Sequence, residues 1–343
     1  MINPYSFLRP LLFQLDPEVA HDLALSNMKR AEQLGLLKHL TPCVPSAPLQ
    51  VCGIDFPNPV GLAAGLDKDG RYIDALAALG FGFLEIGTVT PLAQAGNPKP
   101  RMFRLPSANA LINRMGFNND GVTACVERVK QSRYWQNGGV LGMNIGKNAI
   151  TPIERASEDY IKAMNAVYEV ATYITVNISS PNTKNLRDLQ NEEQLKQLLN
   201  SLNLARTRLS QQYGIRKPLF LKIAPDLNDA EIQLIANLLL EYQIDAVIAT
   251  NTTVARDAIQ GLNHSEEVGG LSGAPLISLS NRVIQTLHRH LQNQIPIIGV
   301  GGILTGSDAK QKIDAGARLV QIYTGLIYQG PQLIQDSVRA IQN

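Results

Sequence analysis

From about residue 47 onward the chain alternates between short, almost wholly apolar runs and longer segments with apolar residues at helical spacing. The runs are Pro59–Leu62, Phe83–Ile86, Val140–Asn144, Tyr173–Asn177, Leu219–Ile223, Ala246–Thr250, Pro296–Val300 and Leu319–Tyr323. Continuous apolar stretches of this length, rich in β-branched residues, predict parallel strands buried on both faces. Between them lie amphipathic helix candidates. Glu192–Gln212 carries Leu195, Leu198, Leu199 and Leu202, and Asp229–Tyr242 carries Ile232, Ile235, Leu238 and Leu239. Eight strand–helix units predict a (β/α)8 TIM barrel rather than an open doubly wound sheet. Two connections, Thr88–Asp120 and Thr252–Ser280, are too long for plain βα loops, and both follow strands. They therefore belong to the C-terminal face of the barrel, where such folds build their sites.

A barrel of about 250 residues leaves a separate N-terminal unit. Residues 1–46 are read as a helical extension and 47–343 as the barrel. Tyr5–Leu15 is a short helix candidate interrupted by Pro10, with Phe7, Leu8, Leu11, Leu12 and Leu15 forming a broad apolar stripe. Asp16-Pro17-Glu18 reads as N-cap, first residue and first-turn acid of a second helix running toward Gly35, and 41–45 as the linker. The stripe could pack on the barrel or lie on a membrane. No run approaches the roughly 18 apolar residues of a spanning helix, and Met1–Pro10 lacks the pattern of a secretory signal.

Composition narrows the partners. A net charge of +2 gives no basic surplus for a polyanion, so a nucleic-acid partner is not expected. The three cysteines, Cys43, Cys52 and Cys125, have no metal-ligand spacing and are too few for an iron–sulfur cluster. No metal is expected, and the thiols are read as reduced.

The chemistry gathers at one end of the predicted strands. Ala63-Ala64-Gly65-Leu66-Asp67-Lys68 follows the first; the next ones end at Thr88, Asn144, Asn177 and Lys222. The last three run into Thr250-Asn251-Thr252, Gly301-Gly302 and Tyr323-Thr324-Gly325. Polar strand ends can simply reach water, yet two lysines and three asparagines at the mouth of an apolar barrel suggest a site. Glycines after the seventh and eighth strands suit a phosphate, although two tight turns would look the same. No Gly-x-Gly-x-x-Gly opens a helix, which favours a mononucleotide over a dinucleotide. Lys222 could be an ordinary surface lysine, or a buried cation able to stabilise negative charge on a reduced flavin. No histidine ends a strand. The loop Asn177–Thr183, with Ser179 and Ser180 before Pro181, is the alternative source of a base, though such serines are commonly turn residues.

At these residues the sequence resembles the dihydroorotate dehydrogenases over its whole length. The segments are Ala63–Lys68, Asn113-Arg114-Met115-Gly116-Phe117, Asn177–Thr183, Leu221–Asp226, Thr250–Thr252, Gly269–Gly273 and Gly299–Ile303. The family divides by its base: cysteine in soluble class 1 enzymes, serine in membrane-associated class 2 enzymes that reduce quinone. Ser180 and the helical extension resemble class 2. The resemblance implies non-covalent FMN held by Ala64, Gly65, Lys68, Thr88, Asn144, Asn177, Lys222, Thr250, Gly273, Gly302, Tyr323 and Thr324. It implies dihydroorotate, and its product orotate, held by Lys68, Asn113, Arg114, Met115, Gly116, Phe117, Asn177, Asn182, Asn251 and Thr252. Ser180 would be the catalytic base, with Thr183 and a water near Phe117 as its relay. A membrane quinone would enter past His21, Arg104 and Tyr323, although His21 could equally be a capping or surface residue of its helix. The implied role is dihydroorotate oxidation in pyrimidine biosynthesis, by a peripheral protein on the cytoplasmic face of a bacterial inner membrane. The alternative is a class 1-type or other FMN barrel with a soluble acceptor. No proposed catalytic residue lies in 1–45, so oxidation of dihydroorotate is expected to survive loss of that span.

Overall fold

In the computed structural model, which describes residues 5–343, a hairpin of β1 (Leu49–Val51) and β2 (Ile54–Phe56) leads into β3 (Val60–Leu62) and β4 (Phe83–Val89). A second hairpin, β5 (Met102–Leu105) and β6 (Ala110–Asn113), precedes β7 (Leu141–Ile145), β8 (Tyr173–Asn177), β9 (Leu219–Ile223) and β10 (Ala246–Ala249). Short β11 (Gly270–Gly273) comes before β12 (Ile297–Val300) and β13 (Leu319–Ile322). Strands β3, β4, β7, β8, β9, β10, β12 and β13 close a ring in that order, every neighbouring pair parallel. Each apolar run has become one stave of the expected (β/α)8 barrel.

Period-two alternation sorts the staves' side chains. Leu62, Leu84, Ile86, Ile174 and Val176 point outward into the core shared with the surrounding helices. The helix Glu192–Tyr213 meets them with Leu195, Leu198, Leu199 and Leu202, the residues its periodicity singled out. Phe83, Tyr173, Phe220 and Leu319 point inward and fill the N-terminal end of the bore, where Phe56 of the first hairpin closes it. Phe56 meets Phe83 edge-on at 5.1 Å, and Tyr173 stacks on Phe220 at 4.4 Å. Burying each aromatic contributes roughly 1.5–3 kcal/mol. Gly142 makes room for them, since a Cβ there would stand 2.2 Å from the Tyr173 ring. Two residues further along the same strands the bore turns polar, with Glu85, Thr175, Lys222 and Gln321 all buried.

The two long connections are not irregular throughout. The β5–β6 hairpin from the first and β11 from the second pair antiparallel as a three-stranded sheet, with Asn113 opposite both Met102 and Gly270. Phe103, Leu105, Ile112 and Leu271 give this lid a small core of its own.

The first four residues of the expected 1–46 unit lie outside the described residues. Its helices are α1 (Tyr5–Leu12), α2 (Pro17–Gln33) and the one-turn α3 (Leu37–Leu40). Helix α1 runs through Pro10 and stops before the expected Leu15; α2 stops just short of Gly35. Asp16 is the N-cap of α2, accepting from the Glu18 and Val19 amides at 2.9 and 3.1 Å. Helix α1 buries no residue, and Phe7, Leu8 and Leu11 are 68%, 55% and 62% exposed, so its apolar stripe does not pack on the barrel. Two side chains pin it down instead. Tyr5 Oη donates to the Ile327 carbonyl at 2.6 Å and Arg9 Nη1 to that of Tyr328 at 2.8 Å. Among the described residues no helix is long and apolar enough to cross a membrane. All three cysteines are free: Cys125 is buried, Cys52 half-buried and Cys43, in the 41–45 linker, exposed.

Candidate active site

The C-terminal ends of the staves open into a deep cavity roofed by the lid sheet. Ala63, Ala64, Gly65 and Lys68 after β3 form one wall, and Asn177, Ser180 and Asn182 after β8 form another. Asn113, Met115, Gly116 and Phe117 descend from the lid, and Thr250, Asn251 and Thr252 enter from β10. Gly273, Gly301, Gly302 and Gly325 make a rim free of side-chain bulk, with Tyr323 and Thr324 beside it. Gly302 has φ +82°, and a Cβ there would stand 2.5 Å from the Ile277 Cα, so only glycine lets the two backbones meet. The peptides before Thr88 and Thr250 are cis.

A hydrogen-bond chain fixes the asparagines. Asn251 Nδ2 donates to Asn177 Oδ1 at 3.3 Å and to Ser179 Oγ at 3.1 Å. Asn177 Nδ2 donates to Thr88 Oγ1 at 2.9 Å, and that hydroxyl donates to Asn144 Oδ1 at 2.6 Å. Asn144 Nδ2 ends the chain on Glu85 at 2.7 Å. On the lid side Asn182 Nδ2 donates to Asn113 Oδ1 at 3.1 Å, while Asn182 Oδ1 is buried with no partner among the described residues. Ser180 is buried at the wall, its Oγ accepting from the Asn182 amide at 3.2 Å. Thr183 Oγ1 is likewise buried and unpartnered.

Two ammonium groups face this cavity. Burial lowers the Lys222 pKa, and the Glu85 carboxylate works against the shift. No described residue accepts a hydrogen bond from it. Burial also lowers the Lys68 pKa, opposed by Asp69 and Glu18, and its Nζ donates to the Gly65 carbonyl at 2.9 Å. On α2, burial and the Lys68 charge push the His21 pKa down to about 4, so its imidazole is neutral at pH 7. Burial raises the Tyr323 hydroxyl to about 12.

Most residues singled out from the sequence thus meet in one place, but the relay candidate Thr183 and four others do not line it. Asn144 stands behind Thr88 and acts through it. The Arg114 guanidinium turns outward to Glu267 at 2.6 Å and stacks over Phe103. Arg104 holds the turn after α1, donating to the Phe13 and Leu15 carbonyls at 3.3 and 2.7 Å. His21 reaches the site only electrostatically, through Lys68. The sequence reading missed Ser272, which accepts from Thr324 Oγ1 at 2.8 Å, and the buried pair Glu85 and Gln321. A carboxylate inside the apolar run Phe83–Ile86 was the available signal.

The donor set fits FMN. A glycine rim offers backbone N–H groups to one terminal phosphate, and an unpaired buried ammonium awaits negative charge. Gln321 lines the cavity, and its buried Oε1 has no partner among the described residues. Such an acceptor suits a ring N–H.

A family model described as dihydroorotate dehydrogenase matches residues 46–343. The chain is 67% identical over 342 residues to the dihydroorotate dehydrogenase (quinone) of Polynucleobacter asymbioticus, covering 100% of this chain and 99% of that one. It is 59% identical over 342 residues to that of Ralstonia nicotianae, covering 99% of each. Among solved structures, DHODH of Eimeria tenella in complex with ferulenol superposes with a TM-score of 0.86 at 36% identity, covering 95% of this chain and 90% of that one.

Proposed function

The chain belongs to the dihydroorotate dehydrogenase family, and from that premise we propose that it oxidises (S)-dihydroorotate to orotate with FMN and passes the electrons to a membrane quinone. The observation that carries this reading is Ser180, buried at the wall of the cavity that also holds Lys68, Lys222 and four asparagines. FMN, when bound, supplies the acceptor for the hydride leaving C6 of the substrate.

The chain's own groups do the rest. Lys68 pairs with the substrate carboxylate, and Asn113, Asn177, Asn182 and Asn251 match its amide edges, each both donor and acceptor. The free Asn182 Oδ1 is positioned to accept one ring N–H. Ser180 Oγ takes the proton from C5, and with hydride lost from C6 the carbon–carbon double bond of orotate forms. A serine hydroxyl is a weak base, so the proton must move on; the unpartnered Thr183 Oγ1 supports a relay there. Lys222 and the glycine rim would hold FMN, with Thr88 oriented by Asn144. The lid and the loop after β8 exclude water from the reacting carbons.

Residues 1–46 serve as the quinone-access and membrane unit, and 47–343 as the catalytic barrel. The exposed stripe of α1 supports peripheral attachment, and Val19 and Leu23 of α2 are exposed as well. The face reached is the cytoplasmic face of a bacterial inner membrane. Tyr323 lines the cavity, approaches the Gly65 carbonyl at 3.4 Å and packs in one cluster with Phe13, just beyond α1, so it would face a quinone arriving from that unit, with Arg104 bracing the turn after α1. Anaerobic addition of dihydroorotate to the purified holoenzyme should bleach the flavin, and a quinone should restore it. A flavin left oxidised by dihydroorotate overturns the proposal.

A further inference from the structure

Glu18 sits in the first turn of α2, outside the cavity, yet its contacts run inward. Its Oε1 accepts from Arg101 Nη2 at 2.7 Å and its Oε2 from Arg101 Nε at 3.3 Å, a two-point pairing. Lys99 approaches Oε1 at 3.3 Å. Arg101 is only 7% exposed and spends its remaining nitrogen on the Ala95 and Asn97 carbonyls, at 2.7 and 2.9 Å. Asn97 then holds the substrate wall. Its Nδ2 donates to the Arg114 carbonyl at 2.8 Å and to that of Asn182 at 3.2 Å, and its amide donates to the Met115 carbonyl at 3.0 Å.

We propose that Glu18 is a positioning residue for the dihydroorotate site: through Arg101 it fixes residues 95–97 and, through them, the segment 113–117 and Asn182. The inference rests on reading this cavity as the dihydroorotate site. A cation as buried as Arg101 needs a counterion, and Glu18 supplies it from the N-terminal unit. The same carboxylate supports the charge of Lys68 together with Asp67 and Asp69, against Arg101 and burial; His21, neutral at pH 7, is the other titratable group of α2 beside that lysine. The extension therefore builds part of the substrate site as well as the quinone route. Loss of residues 1–45 weakens dihydroorotate binding, contrary to what the placement of catalytic residues alone suggests.

The test uses full-length, FMN-loaded protein and orotate as the probe. Glu18→Gln should weaken orotate binding roughly 10- to 100-fold, the range of a hydrogen bond to a charged group. The loss should appear in KM for dihydroorotate more than in kcat or in KM for quinone, and Glu18→Asp should recover part of it. Arg101→Lys, which keeps the charge and loses the two-point geometry, should show the same split. In the unmodified holoenzyme, orotate should also slow amide exchange across residues 18–22. Wild-type orotate affinity in Glu18→Gln, a loss confined to quinone kinetics, or unchanged exchange at 18–22 would each overturn the inference. Failure of the wild-type protein to bind orotate would instead overturn the functional reading beneath it.

Discussion

At the cavity floor Gln321 Nε2 donates to Glu85 Oε2 at 2.9 Å, two buried side chains from staves that are not neighbours in the ring. The same carboxylate oxygen accepts from Tyr173 Oη and Thr175 Oγ1, each at 3.1 Å, while Oε1 takes Asn144. Glu85 thus ties four donors on three other strands and supports the Lys222 charge. Glu85→Ala leaves those donors buried without an acceptor and should cost about 3–5 kcal/mol, as removing one member of a buried charged network does. Glu85→Gln should cost less. Urea unfolding of the holoenzyme decides it, and an alanine variant within about 1 kcal/mol of wild type would show that water replaces the carboxylate.

Ser180→Ala should retain FMN and bind orotate yet reduce its flavin about 10²–10⁴-fold more slowly, the usual worth of a positioned base. Lys68→Ala should chiefly raise the dihydroorotate concentration needed. Stopped-flow reduction over a range of dihydroorotate concentrations separates the two. An unchanged limiting rate in the serine variant would falsify its assignment as base.

His21 gives the native state an acid sensitivity with a definite sign. Its pKa falls from 6.5 in the open chain to about 4 in the fold. The unfolded chain therefore binds more protons between those values, and stability declines as pH drops through that window. His21→Gln removes the site and should flatten the decline relative to wild type. Melting temperatures measured from pH 7 to 4 test this; parallel curves would place the acid sensitivity elsewhere.

The thiols should separate by reactivity. Burial raises the Cys52 pKa to about 12, and burial with nearby Asp67 raises that of Cys125 further. Cys43 is exposed. A thiol reagent at neutral pH should label the native protein first and mainly at Cys43, read by mass of the modified peptide, and reach all three cysteines only in denaturant. Equal labelling of Cys125 in the native state would mean that the helix Val122–Gln131 opens readily.

The staves were legible because burial on both faces leaves runs that are mostly apolar and recur eight times between helix-length segments. The lid was not. Met102–Leu105 includes Arg104, Ala110–Asn113 ends in asparagine, and Gly270–Gly273 is half glycine, so none shows a strand's pattern; they are strands because they pair with each other. Ser180, Lys68, Asn113, Asn177, Asn182 and Asn251, singled out by motif order, line one cavity, but spacing does not show where a side chain turns. Arg114 sits inside the motif and points away from it, held by Glu267. Phe117 has φ +55°, a conformation that a bulky residue rarely takes and that no sequence pattern announces. The role of Glu18 was hidden differently. Its partner Arg101 lies 83 residues away, and capping-region acids ordinarily need no such partner.

The lid has a consequence for the order of assembly. Its two halves leave the ring after β4 and after β10, staves on opposite sides of the eight, so β6 and β11 meet along a diameter of the mouth. That pairing joins Asn113 to Gly270, distant in sequence, and their separation becomes short only once the ring has closed around them. The register of the lid therefore depends on the closed ring, which brings its two halves together. It has an apolar cluster of its own, and it is fastened to the finished ring by Leu111 packing with Leu304 and Tyr328 and by the Tyr328 hydroxyl donating to the Ala110 carbonyl at 2.8 Å.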